Sequence, residues 1–140
     1  MDSKAIDKFL IQIIEKKAEL NALTYDDKGY DKIEDELHEM EDEFMDIYGD
    51  DFSDILEEIH DELEAENDVL LPIAYLATQY VLKGQSADGT NIYDVRPTEG
   101  IPMDTDKYVG KIKRLVLIPN PLRFLLQIDT NKREIVWQVK

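Results

Sequence analysis

The sequence predicts an α+β protein, with N-terminal acidic helices (three, or four with one more short element) packed on a C-terminal antiparallel β-meander of at least three strands. Three observations lead there. Apolar residues recur at three- and four-residue steps through the first half, then switch to alternation in the last thirty residues. The charge changes with the pattern: residues 1–70 hold 25 acids and six bases, whereas residues 71–140 hold seven acids and ten bases. At 140 residues and 43% hydrophobic content the chain suits one domain with a modest core. Within it, residues 1–67 form the acidic helical part, 68–110 a buried element plus loop, and 111–140 the sheet.

Ser3 is placed to cap a first helix whose stripe is Ile6, Phe9, Leu10, Ile13, Ile14 and Leu20, fading near Leu23. Thr24 to Gly29 is a connection with Asp26 or Asp27 available as a cap. In a second helix Ile33, Leu37, Met40, Phe44 and Ile47 step with the spacing of a bundle seam. Gly49 stands where a helix ends, and Asp50 or Asp51 can cap a third helix carrying Phe52, Leu56, Ile59 and Leu63, which stops near Asn67.

Val69 to Leu82 is apolar and reads as a short buried helix, because Pro72 fits a first turn, Ala74 and Ala77 favour helix, and Gly84 suits its end; a strand is the alternative. Gln85 to Asp106 is loop with a short strand near Asn91–Val95. Ile112–Ile118, Leu122–Asp129 and Glu134–Val139 are strands joined by Pro119-Asn120-Pro121 and by a turn at Asp129–Lys132. Phe124, Leu126 and Ile128 alternate onto one face, as do Ile135, Trp137 and Val139. The helices are the cover that such a sheet needs.

Composition removes several functions. There are no cysteines, so disulfides, thiolate metal sites and cysteine nucleophiles are excluded. Phosphate-cradling glycine patterns and the G-x-S-x-G elbow are absent. A net charge of −16 opposes nucleic-acid binding. The longest apolar-rich stretch, Val69 to Leu82, is too short for a membrane span, and the first residues lack a signal-peptide pattern, so no membrane association and a cytoplasmic location are expected.

Two constellations could carry chemistry. Glu57-x-x-His60 has the spacing that places two metal ligands on one helix face, with His38 as a further ligand three residues after Asp35. Against it, Asp35, His38 and Glu57 fall outside the apolar seams, as expected of solvated helix faces. The stretch Asp46–Glu57 has an EF-hand's length, but Asp51 occupies the position that requires glycine. The second constellation is a ligand pocket between the Val69–Leu82 element and the following loop, lined by Tyr75, Tyr80, Tyr93 and Arg96; core packing of the tyrosines competes with it.

The charge layout is the leading clue. Thr24 to Asp68 holds 21 acids and only two bases, Lys28 and Lys32. Excess acid keeps a small protein dispersed, and it also speeds encounter with basic proteins. The sequence therefore points to a non-enzymatic protein acting through protein–protein contacts of an acidic helical face, with Glu34, Glu41, Asp42, Glu58 and Asp61 as representative contact residues. A binder or inhibitor of a basic partner fits, as does contact with another copy of the chain. No cofactor is expected. The alternatives are a divalent-metal carboxylate enzyme using Glu57, His60 and His38, and a small-molecule-binding module using the tyrosine pocket.

Overall fold

The computed structural model describes residues 1–140 and is α+β, as the periodicities require. Two helices come first: α1 (Ser3–Asn21) and α2 (Tyr30–Leu63). A 3-10 turn, Pro72–Tyr75, follows. Six strands complete the chain: β1 (Val81–Gln85), β2 (Asn91–Asp94), β3 (Ile101–Pro102), β4 (Lys113–Ile118), β5 (Arg123–Ile128) and β6 (Lys132–Gln138). β3 to β6 form an antiparallel meander in chain order, and β1 and β2 form a separate hairpin. No helix is long and apolar enough to cross a membrane.

Asp2, rather than Ser3, caps α1: its Oδ1 accepts from Ala5 N at 3.2 Å. Helix α2 corrects the expected count of three or four helices. It runs unbroken for 34 residues, about 51 Å at 1.5 Å per residue. Gly49, Asp50 and Asp51 lie inside it and cap nothing, and Asp26 and Asp27 yield the N-cap position to Gly29. The two apolar runs read as two helices because Gly49 and the two aspartates after it resemble an end and a cap; within the one helix their stripes are out of phase. The eight-residue step from Phe44 to Phe52 rotates the stripe by about 80°. The rotation follows a change of partner. Phe44 packs on Phe9 of α1, with ring centroids 5.6 Å apart, whereas Phe52 packs on Phe124 of β5 at 6.2 Å. Ile47, assigned to the seam, is 55% exposed, and Tyr48 packs against Phe9 and Phe44 instead.

Val69–Leu82 is neither one helix nor one strand. Pro72 starts a single 3-10 turn, after which Leu76 forms a parallel bridge to Leu117 on the edge of β4 opposite β5, beyond the short β3. Tyr80 secures this path: its hydroxyl donates to Leu117 O at 2.7 Å and accepts from Ala77 N at 3.0 Å. The chain then leaves as β1, where Gly84 sits at a bulge with φ +146°.

The meander is buried on both faces at β4 and β5. On one, Leu115, Leu117, Phe124, Leu126 and Ile128 meet the helices in the main core. On the other, Val116, Ile118 and Leu125 are covered by Tyr93, Val95 and Ala77, with Ile11 and Ile14 of α1 at the edge. The hairpin is fastened over this second face by polar pins. Arg133 grips Asp94 with two bonds, of 2.5 and 3.1 Å, and buried Gln127 donates to Arg96 O and Glu99 O. A bulge at Val136 breaks the expected alternation of β6. Phe124 pairs with Trp137 but Leu125 pairs with Ile135, so Trp137 packs on the main core while Ile135 is 53% exposed on the opposite face.

Candidate functional site

The outer side of α2 is a continuous acidic surface. Of the sixteen acidic residues between Tyr30 and Leu63, Glu36 alone has a lysine or arginine nitrogen within 4.0 Å: Lys16 at 2.7 Å and Lys32 at 4.0 Å. The Lys16 bond holds the Glu36 carboxyl below the usual range. Asp35, Glu39, Asp42, Asp46, Asp50, Glu57 and Asp61 are all exposed. At 100° per residue they fall within an arc of about 100° and extend about 40 Å along the helix.

This geometry divides the five residues chosen from the sequence. Asp42 and Asp61 stand on the stripe and exposed Glu58 stands beside it, whereas Glu34 and Glu41 are half-buried next to the α1 seam. The five therefore do not share one face. Asp35 and Glu57, already expected on solvated faces, join Glu39, Asp46 and Asp50 on the stripe, and carrying the helical rotation through Gly49 puts Asp50, Glu57 and Asp61 in line with the earlier four.

The metal constellation is not assembled. His38 is exposed, and His60 lies 22 residues further along the same helix, about 33 Å away. No group of three or more His, Asp or Glu side chains is placed to hold a metal ion. His60 is 5% exposed and uses both ring nitrogens. Its Nδ1 lies 3.2 Å from Asn67 O, which can only accept, so Nδ1 carries the proton. Nε2 then accepts from the Tyr75 hydroxyl at 3.0 Å, and the Tyr75 oxygen accepts from Leu70 N at 3.0 Å. Burial pushes the Tyr75 pKa up and keeps it a donor. This chain ties the C-terminus of α2 to the 3-10 turn and leaves no lone pair for a metal. Glu57 points to solvent with the acidic stripe.

The four pocket residues are also dispersed. Tyr75 belongs to the main core and Tyr93 to the core on the opposite face of the sheet. Arg96 is exposed, and only its backbone oxygen is engaged by Gln127. Tyr80 and Tyr93 remain together, their rings edge-to-face with centroids 6.0 Å apart. They border a groove of about 460 Å³ that opens toward α1, not toward the Gln85–Asp106 loop.

A larger polar groove of about 720 Å³ lies between the start of α1, the β1–β2 turn and the β4–β5 turn. Asp7 accepts from Asn120 N at 3.0 Å there, and Asn120 Nδ2 donates to Asn91 O at 2.9 Å. Ser86 Oγ donates to Asp88 at 2.5 Å, which with Thr90 N lowers the Asp88 pKa to about 2. These bonds close the β1–β2 turn and occupy the Asp88 carboxylate. Comparison with family models, with characterised proteins and with solved structures finds no match to this chain.

Proposed function

We propose that this protein works by binding rather than by catalysis, through contacts between the outward stripe of α2 and a basic protein. The observation that carries the reading is the set of carboxylates on α2 that no cation neutralises. Like charges at three- and four-residue spacing repel by a few tenths of a kcal/mol per pair, and a partner that supplies lysines or arginines relieves this cost.

Part of the basic half of the chain is engaged within the molecule. Lys111 lies 3.6 Å from Asp129, Arg133 holds Asp94, and Lys132 sits 4.9 Å above the Tyr108 ring. Arg123 is half-buried and donates to the backbone oxygens of Pro119 and Pro121. The other six bases of residues 71–140, Lys83, Arg96, Lys107, Lys113, Arg114 and Lys140, have no carboxylate within 4.0 Å, so a second copy competes with a foreign basic protein for the acidic helix.

The test is affinity capture from the native cell with the intact protein and with a variant carrying Asp35→Asn, Asp42→Asn, Asp46→Asn, Asp50→Asn and Asp61→Asn. Helicity of the variant is checked by circular dichroism. A basic protein retained by the intact chain and lost with the variant is the expected result. If everything captured by the intact chain is equally retained by the variant, the reading is wrong.

A further inference from the structure

We propose that the groove between the C-terminal half of α1 and the Thr78–Leu82 segment binds a small monocarboxylic acid with an apolar body. The site lies apart from the acidic stripe, and nothing in the protein-contact reading requires it.

The groove has the size and lining of a small-molecule site. Its volume of about 460 Å³ falls within the usual range of ligand pockets, and six of its eleven lining residues are hydrophobic. Ala18 of α1 and Ala22, its C-cap, form one wall, one turn apart. Leu82, 58% exposed on β1, forms the other, and the Tyr80–Tyr93 pair lies between. Both rings are already held in place. Tyr80 is bonded to Ala77 and Leu117, and the Tyr93 hydroxyl accepts from Asn91 Nδ2 at 3.1 Å. The apolar surface is thus built before a ligand arrives, which lowers the ordering cost of binding.

Lys17 specifies the head group. Of the six lysines in the first half of the chain, only Lys16 and Lys17 are partly buried. Lys16 is paired with both Glu36 and Glu19. Lys17 lines the groove with no carboxylate within 4.0 Å, although acids outnumber bases 32 to 16 in this chain. Its only bond is a long one, 3.5 Å, to Ala77 O. An ammonium has three donors; Glu15 also lines the groove, but neither its carboxylate nor any other lies within 4.0 Å of Lys17. A ligand carboxylate at Lys17, with its hydrocarbon along Ala18, Ala22 and Leu82 over the tyrosine pair, satisfies both features. A neutral ligand of the same shape leaves the ammonium unpaired.

The test is calorimetric titration of the full chain with decanoate and, in parallel, with decanol, both below their aggregation limits. Amide chemical-shift mapping locates the binding. One saturable decanoate site is expected, with shifts confined to α1 around Ala18 and to Thr78–Leu82, and with decanol about tenfold weaker. Lys17→Met keeps the stem and removes the charge; it should weaken decanoate about tenfold and leave decanol unchanged. Ala18→Trp, at an exposed helical position, should fill the groove and abolish both. Equal affinity for decanol overturns the carboxylate assignment. Absence of saturable binding, shifts elsewhere on the molecule, or decanoate binding that survives Ala18→Trp overturns the site. None of these outcomes touches the acidic stripe, so this proposal and the protein-contact reading fail separately.

Discussion

Replacing Tyr75 with Phe removes one hydroxyl from the middle of a three-bond chain, and the structure says what that costs. His60 Nε2 loses its donor and Leu70 N loses its acceptor. The ring cannot recover by changing tautomer, because moving the proton to Nε2 would set the Nδ1 lone pair against Asn67 O at 3.2 Å. His60 is 5% exposed and stays unsatisfied, whereas Leu70 is 43% exposed and its N–H regains water. One bare buried acceptor costs about 1–3 kcal/mol, so the expected loss is about 2 kcal/mol. For a chain of 140 residues, an unfolding entropy of about 2.1 cal/mol/K per residue converts this into a fall in Tm of about 7 °C. Urea unfolding followed by Trp137 fluorescence, with thermal melts by circular dichroism, measures both quantities. The double variant His60→Leu/Tyr75→Phe leaves neither side-chain partner bare and should cost less than the sum of the two single changes. A loss below about 0.5 kcal/mol for Tyr75→Phe would refute the reasoning, since it would mean that water already reaches the histidine.

Gly49→Ala distinguishes one long helix from two. In the interior of α2 the change should stabilise by up to about 1 kcal/mol, since the new Cβ meets only the flexible end of Met45 at 3.1 Å; destabilisation in urea melts would restore the helix break. Gly100→Ala should do the opposite and cost about 2 kcal/mol or more, because φ is +110° and a Cβ would stand 2.8 Å from Leu115 O; a neutral effect in the same assay would contradict the close approach of that turn to β4. Burial is the largest influence on Asp7 and raises its pKa, against the Asn120 amide and Arg123, which lower it. The folded state therefore holds this proton more tightly than the unfolded state, and the associated stability is lost as pH rises through the folded value. Asp7→Asn keeps an acceptor for Asn120 N and should raise the unfolding midpoint at pH 7, with the gain vanishing below the carboxylate range; a lowered midpoint at pH 7 would show that the charge is favourable there.

The sheet was legible because β4, β5 and β6 combine β-branched and apolar residues with turn residues between them, and the observed strands lie within two residues of the expected ones. The near-continuous apolar runs of β4 and β5 also carried a signal that went unread. Lys113–Ile118 and Arg123–Ile128 have the pattern of strands covered on both faces, and the β1–β2 hairpin is that second cover. The unbroken α2 was hidden by local chemistry. Gly49 followed by two aspartates is a good helix end in isolation, and only packing on α1 and then on the sheet carries the helix through it. Val69–Leu82 was ambiguous for a different reason: its path depends on Leu117, more than thirty residues away, through the Leu76 bridge and the Tyr80 hydroxyl. Of the candidate site, the acidic character of α2 was visible as composition, but its orientation was not. Glu34 and Glu41 represent the acidic composition of the helix, but they flank the apolar seam and are half-buried, whereas Asp46 and Asp50 face solvent.

The acidic stripe is tested most directly by the association rate of the captured basic partner, measured by stopped flow as ionic strength is raised from about 0.05 to 0.5 M. A contact made through unpaired carboxylates of α2 should associate fast at low salt, slow by at least about tenfold across that range, and converge with the five-residue neutralised variant at the upper end. A rate that is flat with salt, or that is the same for the intact chain and the variant at low salt, would show that α2 is charged for some purpose other than recognition.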